Sequence, residues 1–90
     1  MIQINKIVWD DWNTEHIGKH KVSADEVEEV CRKTQNVLTT YGGRIMVLGR
    51  TKEGRFLSVI LSPKDEKSYY VVTARDMSQK ERKYFYDKNK

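Results

Sequence analysis

The sequence predicts an α+β domain with the element order β-α-α-β-β-β-β-α. Two helix starts with capping chemistry lie in its first third. Residues 36–75 then alternate apolar and polar side chains with a period of two, and a third capping signal follows them. Helices gathered at the ends of an unbroken run of strands imply an antiparallel meander sheet, not a parallel α/β one.

Met1 to Val8 carries Ile2, Ile4, Ile7 and Val8, which suits a short first strand. Asp10 and Asp11 supply an N-cap and first-turn acid for a helix running to about Lys19 or His20. Ser23 and Glu26 form an S-x-x-E capping box, with Val22 and Val27 as its hydrophobic staple. Val27, Val30 and Cys31 follow at helical spacing, so a second helix is predicted from about Ala24 to Lys33. Asn36 to Tyr41, Arg44 to Thr51, Arg55 to Ser62 and Ser68 to Arg75 read as four strands. Gly42-Gly43 is a two-residue hairpin signal, Thr51-Lys52-Glu53-Gly54 a four-residue loop, and Pro63 to Lys67 a charged turn. Ser78 and Glu81 repeat the capping box before a last helix to about Asp87, with fraying over Lys88 to Lys90.

A chain of 90 residues supports one domain, read here as 1–90, with no repeat or linker inside it. At this size only about 60–65% of the unfolded surface is buried, so intrinsic stability is modest and a bound partner would add to it. With 38% apolar and 33% charged residues the composition is that of a globular chain with a highly charged surface. No apolar run is long enough to span a membrane and no signal peptide is visible. The single cysteine, Cys31, sits on the apolar stripe of its helix and reads as a buried thiol; a reducing cytoplasm is the expected compartment. The net charge of +4 is uneven. Residues 1–45 hold six Lys/Arg against seven Asp/Glu, and residues 46–90 hold eleven against six, so the second half is the candidate polyanion surface.

Three groups of residues could carry chemistry. A four-residue loop at 51–54 would set Arg50 opposite Arg55, on one face with Met46, Leu48, Leu57 and Val59. Two guanidinium groups so placed invite an anion between them, and Arg75, closing the last strand, is the candidate third member. The bland alternative is that these arginines pair with Glu53, Asp76 or Glu81. Trp12, His16 and His20 are spaced four apart and share one helix face. Either histidine, or Lys19, could transfer a proton near neutral pH, although histidines and tryptophans in such positions more often pack or cap. The two histidines lack a third His or a Cys to complete a metal site, and no metal or cofactor is expected. The last helix mixes Arg82 and Lys83 with Tyr84, Phe85 and Tyr86, a combination suited to tracking a phosphate backbone while stacking on bases. Tyr69 and Tyr70 point to opposite faces of their strand, so at most one serves any given site.

Taken together, three segments resemble the BrnT family of toxins from type II toxin–antitoxin pairs. They are Trp9-Asp10…Asn13…His16…Lys19-His20-Lys21-Val22-Ser23…Glu26; Gly43-Arg44-Ile45…Val47-Leu48-Gly49-Arg50-Thr51…Gly54-Arg55-Phe56-Leu57; and Ala74-Arg75-Asp76-Met77-Ser78…Glu81-Arg82-Lys83…Tyr86. They occur in the family's order and cover nearly the whole chain. The family's acidic loop between the first two meander strands is cut here to Gly42-Gly43. The resemblance implies a RelE-like fold and growth-arresting endoribonuclease activity. It also implies neutralisation by a cognate antitoxin with a DNA-binding domain, the complex repressing its own operon.

On that reading RNA is the substrate and cleavage needs no metal. The ribose 2′-OH attacks the adjacent phosphorus, leaving a 2′,3′-cyclic phosphate and a 5′-OH. Arg50, Arg55 and Arg75 are the expected phosphate clamp, His20 or Lys19 the proton-transfer group, and Tyr86 a stacking residue or acid. Arg82, Lys83, Trp12 and His16 are the expected RNA contacts. A different class of function is also open: a non-catalytic module whose arginine face receives an acidic antitoxin segment. A third is non-specific nucleic-acid binding by the basic half, with steep salt dependence and no product.

Overall fold

The computed structural model describes residue 4, residues 6–33 and residues 36–88. Its elements are β1 (Lys6–Val8), α1 (Asp11–Gly18), α2 (Ala24–Lys33), β2 (Val37–Thr39), β3 (Ile45–Arg50), β4 (Phe56–Asp65), β5 (Ser68–Asp76) and α3 (Gln79–Lys88). The expected order is the observed one. The expected strand residues Met1 to Gln3, and the expected fraying over Asn89 and Lys90, lie outside the described residues.

All three caps form. Asp10 accepts from the Asn13 amide at 2.9 Å, and the Asn13 side chain accepts from the Asp10 amide at 2.9 Å. Glu26 and Ser23 exchange bonds of 3.0 and 3.2 Å, and Glu81 and Ser78 bonds of 2.9 and 3.1 Å. Helix α1 ends in a Schellman turn: the Val22 amide donates to the Ile17 carbonyl and the Lys21 amide to the Gly18 carbonyl. The turn places Lys21 at a positive φ of 58°, where glycine is usual. Ile17 and Val22 are both buried, which supplies the apolar contact that accompanies this motif.

The five strands form one sheet in the order β1-β5-β4-β3-β2. β2 to β5 are the expected antiparallel meander, and β1 adds to its edge parallel to β5. One sheet face carries Ile45, Val47, Leu57, Val59, Leu61, Val71 and Ala74, packed under Ile17, Val22, Val27, Val30 and Cys31 of the α1–α2 layer. Gly49 is required at its position, because a Cβ there would lie 2.6 Å from Val30 Cγ1. The other face holds Met46, Leu48, Arg50, Phe56, Ser58, Ile60, Thr73 and Arg75, with α3 across one end. Leu48, Ser58 and Met77 are buried on this α3 face.

The loops correct three expectations. Thr40 and Arg44 close the β2–β3 hairpin, so its loop is Tyr41-Gly42-Gly43, with both glycines at φ 75°. β4 continues through Pro63 to Asp65, and the charged turn shrinks to Glu66-Lys67. At the β3–β4 hairpin the Thr51 amide donates to the Arg55 carbonyl at 2.8 Å, and the Thr51 hydroxyl accepts from the Arg55 amide at 3.0 Å. The loop is therefore three residues long, with Gly54 at φ 95° in the position only glycine fills readily. Arg50 consequently pairs with Phe56, not Arg55. A one-residue change of register sends side chains to opposite faces, so Arg50 joins Met46 and Leu48, while Arg55 joins Leu57 and Val59 on the helix side.

Candidate functional site

The α3 face gathers cationic side chains around an aromatic ring. Two guanidinium groups lie against Phe56, with Arg50 Cζ 5.2 Å and Arg82 Cζ 4.5 Å from its ring centroid. Tyr86 and Phe85 complete the cluster at 5.5 and 5.8 Å from Phe56. The Arg50 guanidinium lies over Gly54, 3.5 Å from where a Cβ would stand, which is ordinary contact distance. Arg50 and Arg82 are both exposed, and neither has an ion pair among the described residues. Holding two cations on one ring costs repulsion that the ring quadrupole offsets only in part. The arrangement is suited to an anion that bridges both groups.

Arg75 is one side-chain row away, opposite Ser58 on the same face. It is neutralised internally: its two terminal nitrogens donate to the two Glu81 oxygens at 2.8 and 2.9 Å. The Arg75 guanidinium holds the Glu81 carboxyl below the ordinary carboxylate range. The sign for stability follows. The pair's contribution is complete above the unfolded carboxyl's titration range and is lost as pH falls through the lowered folded value. Thermal melts from neutral pH down to about pH 3 should therefore show an acid-side loss of stability. That loss should be shallower in Glu81→Gln, which has no such proton to take up.

Arg55 sits on the other side of the sheet, fully engaged. It donates to Asp76 at 2.9 Å, to Glu26 at 3.1 Å and to the backbone carbonyls of Lys21 and His20 at 2.5 and 3.2 Å. The hydrogen bond to Asp76 contributes most to raising its already high pKa. The expected Arg50–Arg55 clamp is thus not formed, and the bland expectation of internal pairing holds for Arg55 with Asp76 and for Arg75 with Glu81.

The first helix carries a separate cluster. Trp12 stacks on His16 with centroids 4.9 Å apart and planes 7° from parallel, and His16 meets His20 edge-on at 5.8 Å. Trp12 is 56% exposed, so it is not the core residue its type suggests. Trp9 does pack against the core, and its indole donates to Glu28 at 2.8 Å. Lys19 and His20 are exposed at the end of α1, whose buried side chains Asn13 and Ile17 face the layer opposite α3. The candidate proton-transfer groups and the Arg50–Arg82 cluster therefore lie on different sides of the sheet, and only Arg50, Arg75, Arg82 and Tyr86 are brought together. Lys83 is turned toward Asp87, 3.1 Å away. Burial pushes the Cys31 thiol up to about 12, which makes it an inert core residue. Among the described residues no three of His, Cys, Asp or Glu are grouped as metal ligands.

Phe56, the centre of the cluster, is the residue that sequence reasoning missed. Its signal was the three-residue reading of Lys52-Glu53-Gly54, which alone pairs it with Arg50.

Fold and site together define a class: a small α+β domain whose two-helix layer covers one sheet face, while the other presents cations on an aromatic platform. No family model and no curated protein sequence matches the chain. Among solved structures it is similar to the Brucella abortus ribonuclease toxin BrnT, at a TM-score of 0.66 and 26% identity, over 82% of this chain and 97% of that one. Segment resemblance and three-dimensional likeness coincide, since both make the chain similar to a BrnT toxin.

Proposed function

We propose that the chain is an endoribonuclease toxin acting in the cytoplasm, which cleaves RNA without a metal and is held inactive by a cognate antitoxin. The observation that carries this reading is the pair of guanidinium groups, Arg50 and Arg82, that both lie against the Phe56 ring with no ion pair among the described residues. The likeness to a ribonuclease toxin supports it.

In the proposed step the 2′-oxygen attacks the adjacent phosphorus and gives up its proton to a base. The P–O5′ bond breaks and the leaving oxygen takes a proton from an acid. Arg50 and Arg82 stabilise the charge gained by the phosphorane, and Arg75 joins them if phosphate displaces Glu81. Tyr86 is the acid or stacking residue beside this group. Glu81 is a weak base, because its lowered pKa favours the unprotonated state. His20 or Lys19 could serve only an RNA strand that wraps around the end of the sheet, past Trp12 and His16. Lys83 adds a phosphate-binding cation along α3. Arg55 is a brace.

The test compares a single-stranded RNA with DNA of the same sequence, each with and without a chelator. RNA cut to 2′,3′-cyclic phosphate ends in chelator, with DNA intact, is the expected result. DNA cleavage at a comparable rate, or an absolute need for a divalent ion, would refute the mechanism.

One observation favours a second reading. Arg75 already binds a carboxylate in bidentate fashion on this face, so an acidic antitoxin segment would find suitable chemistry there. A chain that binds its antitoxin through Arg50 and Arg82 and leaves RNA intact would be such a module.

A further inference from the structure

A second feature lies on the same sheet face, beyond Arg75. Thr40, Tyr41, Arg44, Ile60, Val72 and Thr73 line a small cavity of about 170 Å³ between the β2–β3 hairpin and the middle of β4 and β5. Ile60 pairs with Thr73, one side-chain row from the Ser58–Arg75 pair. That row spacing, two residues along a strand, is roughly 7 Å. Val72 reaches the cavity because the β4–β5 register shifts between Ile60 and Leu61, leaving Val72 without a partner in the ladder.

The hairpin loop sets the outer wall. Gly42 and Gly43 both hold a φ of 75°, and they bring the chain around within three residues. Tyr41 is left 87% exposed, with its ring in water rather than in the core. Arg44 is exposed too and has no ion pair among the described residues. The cavity lining thus combines the apolar Ile60 and Val72 with an exposed aromatic ring, two threonines and a cation.

We infer that this cavity is a base-binding subsite for one nucleotide of a single-stranded RNA whose phosphate lies at the Arg50–Arg82 cluster. This rests on the RNA reading above and deepens it by naming the residues that select the base. Three features favour a nucleobase as occupant. The volume is below the roughly 300–1,000 Å³ of pockets for drug-sized ligands, so a single planar ring system fits better than a larger group. Apolar lining from Ile60 and Val72 with an exposed aromatic ring suits stacking, and the threonine hydroxyls and the Arg44 guanidinium suit the polar edge of a base. The cations along the same face complement the strand's charge.

The probes are short 2′-O-methyl homopolymers of A, C, G and U, which cannot be cleaved by attack of the 2′-oxygen. Binding is measured for the wild type, Tyr41→Ala, Tyr41→Phe and Arg50→Ala. The wild type should prefer one composition. Tyr41→Ala should weaken that one by about 5- to 100-fold and flatten the preference, the range expected for loss of one stacked base. Tyr41→Phe should retain it, because the ring rather than the hydroxyl stacks. Arg50→Ala should weaken all four alike. Tyr41 is so exposed that its removal leaves the fold intact, which a matching melt checks. An unchanged preference in Tyr41→Ala, with Arg50→Ala still weakened, overturns the subsite and leaves the RNA reading standing. Loss of antitoxin binding alone in Tyr41→Ala also overturns it. A wild type that binds none of the four overturns both.

Discussion

Replacing Arg50 and Arg82 together by alanine should lower RNA cleavage by at least 10²–10³-fold, about the loss expected for one transition-state donor. The two groups act on one anion, so their losses should not multiply. The melting temperature should barely change, since both side chains are exposed and neither is ion-paired among the described residues. Salt dependence gives an independent readout. Each phosphate of a single strand that the protein ceases to neutralise reduces the slope of log affinity against log salt by about 0.7, so loss of the one phosphate that this pair grips should reduce it by about that amount. The control is Lys64→Ala with Lys67→Ala, which removes the same charge at the far end of β4 and its turn. If the control falls as far as the arginine pair, general charge rather than this cluster carries the activity. If neither falls, the aromatic cluster is not the site.

Much of this architecture could be read from local chemistry. Caps are local: Asp10, Ser23 and Ser78 each announce a helix through side-chain bonds within three residues, so those starts were legible. The α2 stripe was legible for the same reason, since Val27, Val30 and Cys31 recur at helical spacing and are all buried. The parallel pairing of β1 with β5 was not, because Lys6 and Ser68 are brought together by the whole fold rather than by anything near either residue. The site turned on a single residue of loop length. With four loop residues Arg50 faces Arg55; with three it faces Phe56 and the arginines part to opposite sides. Thr51 decides between them by bonding Arg55 through both its amide and its hydroxyl, and Gly54 supplies the positive φ that the shorter loop demands. Residue types therefore pointed to a candidate anion site, and Arg50, Arg75, Arg82 and Tyr86 are the expected members that the fold groups on one face. Their grouping came from a turn geometry that the pattern Thr-Lys-Glu-Gly leaves open.

Arg55→Ala separates the two roles an arginine can have in such a protein, and it should cost about 2–3 kcal/mol of stability. The bond to Asp76 contributes little of that, because the Asp76 side chain is 67% exposed. Most comes from the junction of α1 and α2. There Arg55 holds the carbonyls of His20 and Lys21, together with the Glu26 carboxylate of the next helix's capping box. Lys21 occupies the left-handed position of the Schellman turn at φ 58°, a conformation that costs a non-glycine residue about 1–2 kcal/mol and persists because its surroundings enforce it. Without the guanidinium, Glu26 loses its partner and the strained turn loses its anchor. For a domain of this size the melting temperature should fall by roughly 8–24 °C. Cleavage by the folded fraction, assayed well below that temperature, should fall less than tenfold, in contrast to the Arg50 and Arg82 double variant. The opposite pattern, an unchanged melt with cleavage abolished, would mean that RNA displaces Glu26 and Asp76 to reach Arg55. The reactive phosphate would then lie at the edge of the sheet beside His20 and Lys19, and these two would regain a direct role in proton transfer.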